Sequence, residues 1–481
     1  MDLLPFQTAG LGDTSYLLAS DGEAVLVDPQ RDAWRFLEAA KKRGWRITHV
    51  IETHVHNDYV SGALETRAAS GAEIVAPARG GYEFETIGAD EGDTLEVGGI
   101  RLTAAATPGH TPEHLSWFVT DAGQAASPSA GGDGGGVPGA ATVPTAVFSG
   151  GSLLVGSVGR TDLLGPGLGP ALAADQQRTL RRYACLPDSV SILPTHGAGS
   201  FCSAGPVTER WYTSIGVERE SNPVFGAADA PEGAFRDLLT AGLGRYPAYY
   251  AHMAGLNRKG PRVLGALRLP GPLTPEAVDD AVTRGATLVD GRDRLAFAAG
   301  HVPGSINVEL GADFASYVGW LVPFGKPVVL VLPDPAEEAA VEAVTQLLRI
   351  GYDWVSGWLG GGGVDAWRAA GRELARYDVT ALGDAASADD ATILDVRQPN
   401  EWRDEGVIPG SRQIFVADLP ARMAELPRDR PVTVICRSGY RASIAASLLD
   451  GAGFDVRLIA RSGAPKWPGQ LVAPEPESTP A

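Results

Sequence analysis

Pro431-Val432-Thr433-Val434-Ile435-Cys436-Arg437-Ser438-Gly439-Tyr440-Arg441 is the stretch from which the rest of the chain is read. Its first five residues are a short apolar run rich in β-branched side chains, the pattern of a buried strand. Ala442 to Leu449 reads as a helix, so Cys436 opens a loop between strand and helix. A thiol there faces the loop N–H groups and the positive end of the helix, and Arg437 and Arg441 add formal charge. All three effects favour the thiolate. A thiolate held this way can take a sulfur atom and carry it as a persulfide. The rival reading, a free cysteine packed as a small hydrophobe, leaves the two arginines and the glycine without a purpose.

Three upstream pieces extend the pattern: Ile393-Leu394-Asp395-Val396-Arg397, Glu401-Trp402 and Ile408-Pro409-Gly410-Ser411. Together with the Cys436 loop they resemble the rhodanese family of sulfurtransferases, in its Asp-x-Arg strand, its Glu-Trp pair and its Ile-Pro-Gly turn. Val407 departs from the family, which usually has His there. The resemblance implies an α/β domain with a parallel sheet over 378–473, with Cys436, Arg437 and Arg441 as its catalytic residues. The pattern recurs earlier, in Thr287-Leu288-Val289-Asp290-Gly291-Arg292, Gly300-His301-Val302-Pro303-Gly304-Ser305 and Trp367, which matches Trp467. After the strand Pro327 to Val331, however, comes Leu332-Pro333-Asp334-Pro335, with neither nucleophile nor arginine. Residues 262–375 are therefore expected to be a catalytically silent copy.

The N-terminal half carries five of the chain's 8 histidines in three motifs. They are Thr53-His54-Val55-His56-Asn57-Asp58, Thr107-Pro108-Gly109-His110-Thr111-Pro112-Glu113-His114 and Leu193-Pro194-Thr195-His196-Gly197. Each follows an apolar strand, so the imidazoles and a carboxylate gather at one sheet edge, which is metal-ligand chemistry. This half resembles the metallo-β-lactamase fold superfamily, also in its early strands Tyr16 to Ala19 and Ala24 to Pro29 and its turn Gly92-Asp93-Thr94-Leu95. Within it, the chain is most similar to the persulfide dioxygenase branch and to bacterial chains fusing that domain to rhodanese domains. The stretches His56 to Gly62, Val158 to Leu163, His196 to Cys202 and Met253 to Pro261 carry that likeness. It implies an αββα sandwich over 1–218, a linker with a helix over 219–261, and then the two rhodanese domains.

The metal site departs from its relatives. Dinuclear hydrolases of this fold have a His where Tyr59 stands, and a bridging Asp where Gly151 stands. The dioxygenase branch implies one Fe(II) per chain held by two His and a carboxylate. His54 and His110 match the two His, and the carboxylate is missing. Three outcomes stay open: His56 joins His54 and His110, Asp58 supplies the carboxylate, or metal is weakly held or absent, with zinc a competitor. Arg160 and Cys202 are expected to bind substrate, with Asp162 bracing Arg160 and Cys185 in the core.

The 481 residues are enough for about three domains. The net charge of −18 argues against nucleic acid and anionic membrane as partners. Three scattered cysteines fit a reducing cytoplasm, and the N-terminus has no signal-peptide pattern. Gly/Ala/Ser/Pro-rich 121–145 is expected as a flexible insert and 474–481 as a disordered tail. The expected function is sulfur metabolism: sulfur transfer through a Cys436 persulfide, beside oxidation of a small-thiol persulfide to sulfite. Expected partners are small-thiol persulfides with sulfane-sulfur donors and acceptors, and a homodimer is an expected assembly. The alternatives are a transferase on a metal-depleted scaffold and a thioester hydrolase of the glyoxalase II kind.

Overall fold

The computed structural model describes residues 1–122, 143–197, 199–205, 210–388 and 390–474. Nearly all of the expected insert and tail lies outside the described residues. The chain forms two compact units, one of Met1–Leu267 with Leu348–Gly351, the other of the remainder from Arg268. Among the described residues no helix is long and apolar enough to cross a membrane.

The first unit is built on two six-stranded mixed sheets. The first runs in the order β1 (Asp2–Thr8), β2 (Asp13–Ser20), β3 (Glu23–Val27), β4 (Arg46–Ile51), β5 (Glu73–Pro77), β6 (Ile87–Ala89). The second contains β7 (Thr94–Val97), β8 (Ile100–Ala106), β9 (Leu115–Asp121), β10 (Ala146–Gly150), β11 (Ser191–Pro194) and β12 (Thr213–Ser214), lying in the reverse of that order. Alternation along a strand sends successive side chains to opposite faces. In β2, Tyr16 and Leu18 join Trp117, Phe148 and Leu193 in the core between the sheets, while Leu17 and Ala19 meet Phe36 and Ala40 of helix Trp34–Arg43. The second sheet's outer face, with Phe118, Val147 and Ile192, packs on Leu180 and Tyr183 of helix Gly169–Ala184. The result is the four-layer αββα sandwich. Strands such as β2, β3 and β10 are buried along almost their whole length because helices cover both outer faces.

One expectation is corrected here. Residues 219–261 are part of this unit, not a linker. Phe235 and Leu239 of helix Glu232–Ala241 are fully buried in the core under the second sheet. Asn257, on helix Tyr250–Lys259, donates to the carbonyls of His56 (2.9 Å) and Tyr59 (2.8 Å) and accepts from Ser61 N–H (2.9 Å). Its one amide satisfies three backbone groups of the metal-motif loop, which would otherwise be buried unpaired.

The second unit holds two five-stranded parallel sheets of one topology. The first is ordered β13 (Pro272–Leu273), β17 (Val355–Leu359), β16 (Val328–Val331), β14 (Thr287–Asp290), β15 (Ile306–Asn307). The second is ordered β18 (Asp378–Val379), β22 (Val456–Leu458), β21 (Val432–Ile435), β19 (Thr392–Asp395), β20 (Arg412–Gln413). The internal repeat is visible at atomic detail. Arg292 pairs with Asp290 and reaches Gly300 O (3.0 Å), and Arg397 pairs with Asp395 and reaches Gly406 O (2.7 Å).

Candidate functional site

The metal motifs converge beyond the ends of β3, β4, β8, β10 and β11. Asp28 follows β3 at φ 48°, a left-handed conformation uncommon for a residue with a Cβ. From there its carboxylate accepts from Thr53 N–H and Thr53 O–H (2.7 Å each) and from Thr195 O–H. It thereby ties the loops after β4 and β11 together.

These bonds decide the tautomers. Thr53 gives its single proton to Asp28, so its oxygen accepts from His54 Nδ1 (2.9 Å). His110 Nδ1 donates to Arg160 O (2.8 Å), and His196 Nδ1 donates to Asp13 Oδ1 (2.8 Å). In the neutral form of each ring the proton is spent on Nδ1, which leaves an Nε2 lone pair on each of the three. One ligand atom from each of His54, His110 and His196 lies within 4.8 Å of the others. His110 Nε2 is buried with no partner, and His54 and His196 face each other Nε2 to Nε2 at 3.3 Å. Two lone pairs that close repel unless a cation or proton lies between them. Burial, with neighbouring imidazoles, pushes His54 well down and His110 down to about 3, so both stay neutral and ligating at neutral pH.

Asp58 and His56 stand beside these three. Asp58 is buried with both oxygens unbonded, because the His196 Nδ1 proton 3.2 Å away is aimed at Asp13. His56 turns Nε2 toward Glu52 (3.0 Å), Asp28 (3.2 Å) and the Tyr59 hydroxyl (3.0 Å), and its Nδ1 is buried without a partner. The expected set of His54, His56, Asp58 and His110 is therefore brought together. The sequence reading missed His196 as a member, although its motif was visible, and missed Asp28, Asp13 and Glu52 as the carboxylates that orient the rings. Aspartates separated from their histidines by up to 183 residues leave no spacing signal.

Gly151 lies at this site. A Cβ there would fall 2.3 Å from His110 Cδ2 and 3.0 Å from His196 Cδ2. Its N–H donates to His114 Nε2 (3.0 Å), so His114 positions the loop and does not face the cluster. The Tyr59 hydroxyl donates to Asp28 O (3.2 Å) and offers no ligand.

One expectation is corrected and two are narrowed. Arg160 donates to Asp162 (2.6 and 2.7 Å), Phe201 O (3.0 Å) and Gly244 O (2.9 Å), so it braces the loops around it. Cys202 is fully buried, and burial first, with Asp58 and Asp13 after it, pushes its thiol well up, away from the nucleophilic form. Cys185 is exposed: it caps the end of helix Gly169–Ala184, one residue past the face that enters the core.

The second constellation surrounds Cys436, which follows β21 and is fully buried. Gly439, at φ 96°, opens helix Tyr440–Gly451, and its N–H points at Cys436 Sγ (3.1 Å). Both arginines of the loop are paired: Arg441 makes a two-pronged ion pair with Glu401, and Arg437 pairs with Glu405. Their charge is thus largely matched, and the backbone donor remains as the group on the sulfur. In the other copy the matching place holds buried Leu332.

A four-layer sandwich with histidines at one sheet edge, joined to two copies of a parallel α/β domain, defines a metal-binding fold fused to a thiol-bearing one. The comparisons give these parts their class. The chain carries a metallo-beta-lactamase superfamily domain, matched over 10–125, followed by two rhodanese-like domains, matched over 274–370 and 378–467. It is similar to a hydroxyacylglutathione hydrolase of Methylobacterium nodulans, 37% identical over 117 residues, 22% of this chain and 46% of that protein. The similarity to the Rhizobium johnstonii protein of the same name is 26% over 233 residues, 43% of this chain and 79% of that one. The chain thus spans under half of the first of these relatives. Among solved structures, a metallo-beta-lactamase from Staphylococcus aureus subsp. aureus COL is 28% identical, with a TM-score of 0.63, over 75% of this chain and 98% of that one.

Proposed function

We propose that the protein handles sulfane sulfur in two places. At Cys436 the thiolate attacks the outer sulfur of a donor; the donor's S–S bond breaks, its thiolate or sulfite leaves, and a Cys436 persulfide forms. An acceptor nucleophile then takes that sulfur and the thiolate returns. The observation that carries this reading is the Gly439 N–H on Sγ, a fixed donor for an anionic sulfur.

The N-terminal domain is proposed to oxidise a small-thiol persulfide: persulfide, O2 and water give the thiol and sulfite. The buried, partnerless nitrogens and the unbonded Asp58 carboxylate fit a cation. His54, His110 and His196 would hold it, with His56 Nδ1 and Asp58 as further donors, and one iron per chain would supply the oxygen chemistry. Asp28, Thr53, Asp13 and the Arg160 carbonyl do the protein's share, holding each ring in its ligating tautomer.

The names of the curated relatives favour a second reading, a hydrolase. Tyr59 and Gly151 weigh against it, since each removes a ligand from a two-metal site. Metal analysis with oxygen uptake separates the readings. About one iron with persulfide-dependent uptake supports the dioxygenase, about two zincs the hydrolase, and no metal a transferase on a scaffold.

A further inference from the structure

The copy without a nucleophile reaches into the Cys436 loop. Arg294, on helix Arg294–Ala299, donates from one terminal nitrogen to Ser438 O (3.2 Å) and Ala460 O (3.3 Å). Glu309 of the same copy holds that guanidinium, with Oε2 2.7 Å from Nε. The Ser438 carbonyl and the Gly439 N–H belong to one peptide group, and that N–H points at Cys436 Sγ (3.1 Å). A cation on the carbonyl end of a peptide polarises it and strengthens donation at the other end. Tyr440 is fixed from the same side: its hydroxyl donates to Glu309 O (3.0 Å), and its ring lies 5.4 Å from that of Tyr317.

We propose that Arg294 is a positioning residue for Cys436, aiming the Ser438–Gly439 N–H at its sulfur, so that the nucleophile-free copy completes the site of the other. This rests on Cys436 as the sulfur carrier. The other charged or titratable groups around the loop include Arg441 with Glu401, Arg437 with Glu405, Arg461 with Asp293, and Tyr317, Tyr440 and Asp313. Arg294 differs from them in acting on the peptide whose N–H meets the sulfur.

The test uses the full chain with Cys185→Ser, which removes the exposed thiol. The rate of iodoacetamide alkylation at Cys436, read by peptide mass, is followed from about pH 5 to about pH 10, with kcat and KM of sulfur transfer measured in parallel. Arg294→Gln should move the alkylation curve up by about half to one pH unit and lower kcat roughly tenfold with KM little changed. Arg294→Lys should recover part of both. Asp450→Ala, which removes the His301–Asp450 contact between the same two copies (3.1 Å) away from the loop, should leave the curve in place. A curve unmoved by Arg294→Gln, or moved equally by Asp450→Ala, overturns the proposal. Sulfur transfer surviving Cys436→Ser would instead overturn the carrier reading, and the alkylation curve would still decide the role of Arg294.

Discussion

Gly439 shows how tightly single residues set the thiol site. Its φ is 96°, and a Cβ there would lie 1.9 Å from Ala460 O. Gly439→Ala should cost about 1–3 kcal/mol of stability and abolish most sulfur transfer, because the strained peptide can relax only by turning its N–H away from the sulfur. Paired denaturant melts and transfer assays check this; a variant with full activity would show that the N–H is dispensable. Glu401 carries a pH signature. Burial pushes its carboxyl up, but the hydrogen bond and charge of Arg441 outweigh this and hold it below its ordinary 4.5. A depressed folded value means the stabilisation is complete above the unfolded value and disappears as pH falls through the lower, folded one. Glu401→Gln should therefore destabilise by about 2 kcal/mol at neutral pH, with the gap to wild type closing below about pH 4. Melting curves of both proteins across that window are the measurement.

At the scale of elements, the candidate metal site is made by strand ends and completed by a distant helix. The loop after β4 is held by Asn257, whose motif was read from sequence as a family mark without a physical role. Helix Glu232–Ala241 tests whether this region is core. Phe235→Ala should cost about 3–5 kcal/mol, as for a buried aromatic, whereas a linker helix would lose little. The loop after β10 places Gly151 against His110 and His196. Gly151→Asp should force both rings to turn and should raise the iron retained per chain, since an anionic oxygen joins neutral imidazoles. Metal content after dialysis, compared with wild type, measures it; an unchanged content would mean that the rings do not yield. The fold was legible at this scale because apolar runs and turn residues repeat along the chain. The partners of the rings were not, because a hydrogen bond such as Asp13 to His196 joins residues from different strands with no local pattern.

At the scale of the molecule, the metal residues and the thiol belong to different compact units. Their chemistries should therefore be separable. His54→Ala should lose metal and persulfide-dependent oxygen uptake while keeping sulfur transfer, and Cys436→Ser should do the reverse. Because Leu332 fills the matching place in the other copy, Cys436→Ser in the full chain should show no residual transfer. Mass spectrometry of the added sulfur would confirm that it sits on Cys436; sulfur found on Cys185 or Cys202 would contradict the assignment.

By itself the sequence determined the class of each domain, the repeat, the cysteine loop and most of the buried histidine cluster. These depend on local order: strand period, turn residues and motifs adjacent along the chain. Only the tertiary structure decided that His196 completes the cluster, that Arg160 is a brace, and that 219–261 is core. It alone also showed Arg294 of one copy meeting the Cys436 loop of the other. Each of these depends on where a side chain's few donors are spent, and that is settled by neighbours far away in sequence that folding brings within hydrogen-bond distance.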